Sequence, residues 1–411
     1  MNIKHKVFIN FGILIISASS YGVAFAKNNK PKKNVGNTQV EQVLTEDPSM
    51  LRHADTKNVF LKSKNAIIID FETGKVLLEK EARTRIIPAS MTKIMTSYLI
   101  EEKLKNNEAD NDQLLPVSEK AWRIQGSKTF VPLGENVKLG DMLKGIIIQS
   151  GNDASIVAAE GLYGSEENFV DAMNEMAKKM GMADTHFENA SGWPSDNHYS
   201  TVYDLAQLGV RLIKDHPEYY SIYSEKTFTY GADSKGNPIT QGNRNPLLYK
   251  DLGCDGIKSG HTDEGGYSIV LSFVNDGRRF VAVINGLKSA KERSDEAYRI
   301  LAWVKENFVN KKIYSKGEVV DDKAPLEDGL KETVQVVAKE DVNLLVTRSN
   351  QTFKTEKLLD EPLQAPISIG DAAGKIKIIY DNTELEVPVI ANENIEKIGF
   401  FKKLYRKIMP S

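Results

Sequence analysis

Pro88-Ala89-Ser90-Met91-Thr92-Lys93, running on into Ile94-Met95-Thr96-Ser97-Tyr98-Leu99, is the stretch whose reading decides the fold. Proline suits a first helical turn, and good helix formers follow it. Met91, Ile94, Met95, Tyr98 and Leu99 repeat at i, i+3, i+4, i+7 and i+8, which predicts a largely buried helix. Ser90 and Lys93 lie one turn apart on the flank of that stripe. A serine hydroxyl is a poor nucleophile until a base takes its proton. An ammonium in an apolar setting beside other cations gives up its proton more readily, so Lys93 is the candidate base. The N–H of Ser90, at a helix start, lacks a helical partner and can face a developing oxyanion. Read alone, the tetrad is equally an exposed Ser and Lys on a surface helix. Ordinary composition supplies about one S-x-x-K by chance in a chain of this length.

Two later motifs change that balance. Ser150-Gly151-Asn152 separates the helical runs Leu139–Gln149 and Asp153–Leu162. As plain structure it is a turn in which Asn152 or Asp153 caps the second helix. In a site, Ser150 can relay a proton and Asn152 can hold a substrate carbonyl. Lys258-Ser259-Gly260 falls on a predicted strand, which can pair with an extended peptide while Lys258 adds positive charge near the serine. Ser259 offers a hydroxyl for a carboxylate, and Gly260 lets substrate come close to the backbone.

Outward from the motifs, Ala66–Asp70 and Lys75–Glu79 read as a hairpin, and so do Tyr267–Val274 and Arg279–Leu287 around Asn275-Asp276-Gly277. Early and late strands pairing into one antiparallel sheet, with the helical stretch from Pro88 to about His216 packed on it, predict an α+β domain. Ser294–Phe308 is again helical. Short strands at Thr333–Val337, Val342–Val346, Lys375–Tyr380 and Leu385–Ile390 predict a second, all-β domain. The expected organisation is a signal peptide over 1–26, a flexible linker over 27–57, a catalytic domain over 58–314, an all-β domain over 315–391 and an amphipathic helix over 392–411.

The ends of the chain speak about location. Lys4, His5 and Lys6, an apolar run to about Val23, and Ala24-Phe25-Ala26 form the pattern of a cleaved secretory signal, with an uncleaved anchor as the alternative. In the tail, Ile398, Phe400, Phe401, Leu404, Tyr405, Ile408 and Met409 fall on one helical side, and Lys402, Lys403, Arg406 and Lys407 on the other, with Lys397 out of place. That pattern fits the surface of an anionic bilayer; the alternative is a last helix docked on the β domain. Cys254 is the only cysteine, so an internal disulfide is excluded and a packing role is expected. The six histidines are scattered without ligand spacing, and neither metal nor cofactor is expected. A net charge of −2 gives no field for nucleic acid.

The three motifs in this order resemble those of penicillin-binding proteins and serine β-lactamases, whose signature is S-x-x-K, S-D-N and K-T-G. The likeness is greatest to the low-molecular-mass D-alanyl-D-alanine carboxypeptidases of the penicillin-binding protein 5 type. It rests also on Asp255-Gly256-Ile257 before Lys258, on His261-Thr262 after Gly260, and on His198-Tyr199-Ser200-Thr201 with Asp204, a residue otherwise read as a helix cap. The resemblance implies a serine β-lactamase-like catalytic domain in which Ser90 is acylated, Lys93 is its base, and the N–H groups of Ser90 and His261 form an oxyanion hole. It further implies proton transfer and charge from Ser150 and Lys258, and a substrate carboxylate faced by Arg293 and Arg244, the latter equally readable as a structural ion-pair partner. The implied reaction removes the terminal D-alanine from peptidoglycan stem pentapeptides in the periplasm, at the outer face of the cytoplasmic membrane, with β-lactams as inhibitors. Three other readings stay open: a D,D-endopeptidase, a class A-like β-lactamase, though no E-x-x-L-N follows Ser150, and a non-catalytic wall-binding protein.

Overall fold

A computed structural model describes residues 43–44, 50–53, 55–381 and 383–408, with side chains placed from 50 to 404. The expected signal peptide, most of the expected linker and the last residues of the tail lie outside the described residues. One antiparallel sheet organises the catalytic half. Its strands are β1 (Val43–Leu44), β2 (Met50–Arg52), β3 (Asn65–Asp70), β4 (Val76–Lys80), β5 (Cys254–Thr262), β6 (Gly266–Asn275) and β7 (Arg278–Leu287). They stand in the order β1-β2-β4-β3-β7-β6-β5, so early and late strands meet at the β3–β7 pair and β5 is an edge.

β3 shows why the sheet is central. Ile67 and Ile69 join one core while Ala66 and Ile68 join the other, so both faces are covered and the run from Ala66 to Ile69 is apolar throughout. The first face carries α1 (Lys93–Lys105), α2 (Asn152–Tyr163) and α3 (Val202–Asp215), all from the insert between β4 and β5. The second carries α4 (Ala290–Asn307), whose Ala297, Ile300, Leu301 and Val304 pack on Leu271, Phe273 and Phe280. Asn275 pairs with Arg278 across Asp276 (φ 50°) and Gly277 (φ 71°), the primed turn that matches strand twist. α1 departs from a simple stripe: Thr96, Ser97 and Glu101 are buried along with the apolar positions, which makes it an interior helix.

Three expectations need correction. Part of the 27–57 segment is structure: Met50, Leu51 and Arg52 pair with Lys80, Glu79 and Leu78 and cover the open side of β4. Three residues are too few to show a period, so composition alone reads as linker. The all-β half begins before 315, because Phe308–Tyr314 follows α4 without a loop and pairs with Val342–Thr347. A six-stranded sheet completes that half, including the strands Val319–Glu327 and Lys354–Leu359, whose charge hid them. The tail is helical only from α5 (Phe400–Ile408). Ile395 and Ile398 are buried on the β domain, and Lys397, out of place on a helix, bridges to Gly329. Phe400, Phe401 and Leu404 are exposed. Among the described residues no helix is long and apolar enough to cross a membrane.

A buried ion pair holds the β3–β7 junction. Arg278 Nε and Nη2 donate to Asp70 Oδ1 and Oδ2, each at 2.6 Å, and Nη1 reaches Asn310 Oδ1 at 3.3 Å in the β half. Removing one partner strands the other charge in a dry site. Asp70→Ala should therefore lower unfolding free energy by roughly 3–5 kcal/mol, read as a fall in the urea midpoint.

Candidate active site

Ser90 sits on a tight turn, Ala89–Thr92, that leads into α1. Ala89 has φ 48°, a conformation an L-residue adopts only under constraint. The constraint is visible from the other side: a Cβ at Gly192 would lie 1.8 Å from the Ala89 carbonyl oxygen, so only glycine allows that loop to lie against the turn.

The structure brings the three motifs together. Lys93 Nζ lies 3.3 Å from Ser90 Oγ and donates to Asn152 Oδ1 at 2.7 Å and to the Ser191 carbonyl at 2.5 Å. Lys258 Nζ donates to Ser150 Oγ at 2.9 Å and to the Ser259 carbonyl at 3.3 Å. Both amines are buried. Burial pulls Lys93 down to about 7, with the Arg244 charge adding to it and Asp153 opposing. Lys258 is held well below the ordinary lysine range, first by burial and then by Lys93, Arg244 and Arg293. Among the described residues none of these four cations forms an ion pair. The neutral form of Lys93, able to accept a proton, is therefore accessible near neutral pH.

Ser150 takes its place through backbone distortion. The run Leu139–Gln149 is helical, but its last turn, Gly145–Gln149, is widened to π geometry, and Ser150 follows in the left-handed region at φ 64°. Such widened turns recur at functional sites. Neither Asn152 nor Asp153 caps α2 in the expected way, because Gly151 is the residue at the cap. Asn152 turns inward to Lys93, and its Nδ2 donates to the Gln125 carbonyl at 2.7 Å. Asp153 accepts instead from the backbone N–H groups of Thr129 and Phe130, each at 2.8 Å, and so fixes the loop that forms the opposite wall. Asp204 does not cap α3 either: Thr201 does, and Asp204 accepts from Thr185 Oγ1 at 2.7 Å.

β5 carries the third motif along the sheet edge, with Lys258, Ser259, Gly260 and His261 opposite Val270, Ile269, Ser268 and Tyr267. A Cβ on Gly260 would stand 3.0 Å from the Pro88 carbonyl and 3.2 Å from Met91, so this glycine first serves the close packing of β5 against the serine turn. The His261 ring lies 3.8 Å from that of Tyr267. Arg244 Nη1 donates to Ser127 Oγ at 2.7 Å, which is not the ion pair that a structural role would need. Arg293 Nη2 donates to the Arg244 carbonyl at 3.2 Å, while its buried Nε has no partner.

Two cavities meet at Ser90, Gly126, Ser127 and His261. One, about 430 Å³, adds Ser150, Ser259, Arg244 and Arg293 and is cationic. The other, about 480 Å³, adds Asn152, Gly192, Trp193 and Asp263. A larger cavity, about 620 Å³, opens on the α4 side of the sheet and holds none of the motif residues. Sequence reasoning missed Ser127, the Ser191 carbonyl and Trp193. Backbone acceptors carry no residue signature, and Ser191-Gly192-Trp193-Pro194 reads only as a loop.

Residues 52–289 match the family model described as D-alanyl-D-alanine carboxypeptidase, and residues 308–397 match that for the penicillin-binding protein 5 C-terminal domain. The D-alanyl-D-alanine carboxypeptidase DacC of Escherichia coli strain K12 is 36% identical over 354 residues, covering 84% of this chain and 86% of that protein. The crystal structure of penicillin binding protein 5 from Haemophilus influenzae matches with TM-score 0.68 and 31% identity, covering 83% and 99% of the two chains. Penicillin-binding protein D2 from Listeria monocytogenes, in its ampicillin-bound form, matches with TM-score 0.54 and 29% identity, covering 60% of this chain and 98% of that one.

The Lys93 amine is the measurable centre of this geometry. NMR titration of its ε-carbon should show a midpoint near 7, far below the roughly 10.4 of a free lysine. Arg244→Ala removes a repelling cation, so the charged form becomes easier to hold and the midpoint should move upward.

Proposed function

The chain belongs to the D-alanyl-D-alanine carboxypeptidase family, and from that premise we propose how its residues remove the terminal D-alanine from a peptidoglycan stem pentapeptide. The observation that carries the reading is the buried Lys93 amine, which forms no ion pair among the described residues and lies 3.3 Å from Ser90 Oγ. Neutral Lys93 takes the Ser90 proton as Oγ attacks the carbonyl between the two terminal D-alanines. The N–H groups of Ser90 and His261 stabilise the oxyanion, and one such donor is worth about 10²–10³ in rate. Ser150 gives its hydroxyl proton to the departing amine and is reprotonated by Lys258, which donates to it at 2.9 Å, while the proton taken by Lys93 returns to Ser90 when the ester is hydrolysed. Arg244 and Arg293, with the Ser259 hydroxyl, receive the carboxylate of the leaving D-alanine. Water then hydrolyses the ester on Ser90. A β-lactam acylates the same oxygen, but its leaving group stays tethered, so it acts as an inhibitor.

The substrate belongs outside the cytoplasm, in agreement with the signal-like segment 1–26. We place the enzyme in the periplasm, held at the outer face of the cytoplasmic membrane by α5. Phe400, Phe401 and Leu404 are left exposed there, beside Lys402 and Lys403, although Lys403 also pairs with Asp328. Apolar rings next to cations suit an anionic headgroup layer.

Fluorescent penicillin should label the protein, and Ser90→Ala should abolish both the label and D-alanine release. Mass analysis of muropeptides after incubation should show loss of one terminal alanine only; cleaved cross-links would point to an endopeptidase. In sedimentation with vesicles containing anionic phospholipid, the full chain should pellet and a Phe400→Ser, Phe401→Ser double variant should stay largely in the supernatant.

A further inference from the structure

The cavity of about 620 Å³ on the α4 side of the sheet lies away from the cleft, and no step of the reaction uses it. Its volume is that of a small-molecule site. Strand β6 measures the separation: Ser268 pairs with Gly260 of the third motif, while Phe273, Val274 and Asn275 line the cavity. Six steps of antiparallel strand, from Ser268 to Val274, cover about 20 Å. The residue cleaved at Ser90 therefore cannot occupy both places.

The cavity has an apolar floor and fixed walls. Phe273 and Leu301, both buried, supply the floor. The Tyr298 ring beside them is 50% exposed, with Lys250 Nζ 5.6 Å from its centroid. Arg348 is held at one end: its backbone N–H donates to the Asn307 carbonyl at 2.7 Å, and its Nε donates to the Lys305 carbonyl at 3.1 Å. Its Nη2 lies 3.7 Å from Asp276 Oδ2. Val274 N donates to the Gly253 carbonyl and Leu252 N to the Lys250 carbonyl, each at 2.9 Å, so the segment carrying Asp251 is also tied down. The exposed side chains of Asp251, Lys305 and Glu306 form no ion pair among the described residues. Asp251, Asp276 and Glu306 stand against Lys305 and Arg348 in the lining, which leaves no strong field of either sign.

Balanced charge argues against a strongly ionic ligand. An apolar floor, an open aromatic ring and free carboxylates suit a neutral ligand with one apolar face and several hydroxyl groups. We propose that this cavity binds a saccharide, an N-acetylated amino-sugar unit of the glycan strand to which the stem peptides are attached. The C–H face of the sugar ring lies on Tyr298, and its acetyl methyl rests on Phe273 and Leu301. Its hydroxyls donate to Asp251 and Glu306, and the Lys305 ammonium donates to the acetyl carbonyl. Only the choice of glycan rests on the carboxypeptidase reading, since an enzyme of stem peptides works on that polymer. Holding the strand at a second point raises the effective concentration of stem peptides at Ser90 without touching the chemistry.

Two measurements test it, with chitotetraose as the soluble probe. Saturation-transfer NMR on protein already acylated by penicillin, so that the cleft is blocked, should show transfer to the acetyl methyl groups of the sugar. Tyr298→Ser, which removes the ring, and Ala302→Trp, which fills the cavity, should each abolish that transfer. In the second measurement D-alanine release is followed from polymeric peptidoglycan bearing pentapeptides and from an acetylated tripeptide ending in D-Ala-D-Ala. Both variants should lower kcat/KM on the polymer by roughly 10-fold, a modest share of what linked binding can give, and leave the tripeptide rate unchanged. Labelling by fluorescent penicillin shows that each variant is folded; should Ala302→Trp take no label, Tyr298→Ser decides. Absence of transfer in the acylated protein, transfer that survives Tyr298→Ser, or an unchanged ratio of polymer to tripeptide rates overturns the saccharide site and leaves the carboxypeptidase reading standing. Failure to release D-alanine from either substrate overturns that reading, while the sugar signal still stands or falls by Tyr298→Ser.

Discussion

A lysine amine sealed inside the fold beside a serine, with no counter-ion among the described residues, is the constraint around which this molecule is built. Burying a charge without a carboxylate is strongly unfavourable, and the protein relieves it in two ways. It supplies neutral acceptors, Asn152 Oδ1 and the Ser191 carbonyl, and it lets the amine lose its proton near neutrality. The acceptors come from segments far apart in the chain, one at the head of α2 and one in the loop before α3. They converge only because the insert folds over one face of the sheet. The same convergence sets Ser150 within reach of Lys258. Stability is given up at this spot, and the large apolar cores on both faces of the sheet more than offset it.

The elements whose signal is periodic or chemical were legible in the sequence. The stripe through Met91, Ile94, Met95, Tyr98 and Leu99 is buried, the Asn275-Asp276-Gly277 turn closes the expected hairpin, and the three motifs meet in one cleft. What escaped lacks side-chain identity or length. The Ser191 carbonyl would serve as well from another residue. The distortion at Gly145–Gln149 leaves the apolar pattern Gly-Ile-Ile-Ile intact, so nothing marks Ser150 as left-handed beforehand. Asp153 looked like a cap because acidic residues often cap helices, whereas its partners lie more than twenty positions earlier in the chain.

The tail divides into two parts of different structure. Ile395 continues the β domain's core and Ile398 is buried beyond it in the chain, and the residues after Gly399 form a helix with its aromatic side uncovered. A pattern drawn over the whole stretch averages these, and Lys397 marks the seam. Asp381 plays a comparable joining role elsewhere: it pairs with His53 and, at 2.5 Å, with Lys75, linking the β half to the β3–β4 hairpin.

The edge position of β5 has a cost apart from catalysis. A strand with one free row of N–H and C=O groups invites any extended segment, including the same strand of a second molecule. Here the invitation is narrow. Gly260 is pressed against the Pro88 turn, and Lys258 brings a poorly solvated amine to the edge. Stacking two such edges would force like charges together in a space that water cannot fill. The residues that admit one short peptide thus also discourage self-adhesion, so selection for turnover and selection for solubility act on the same few positions.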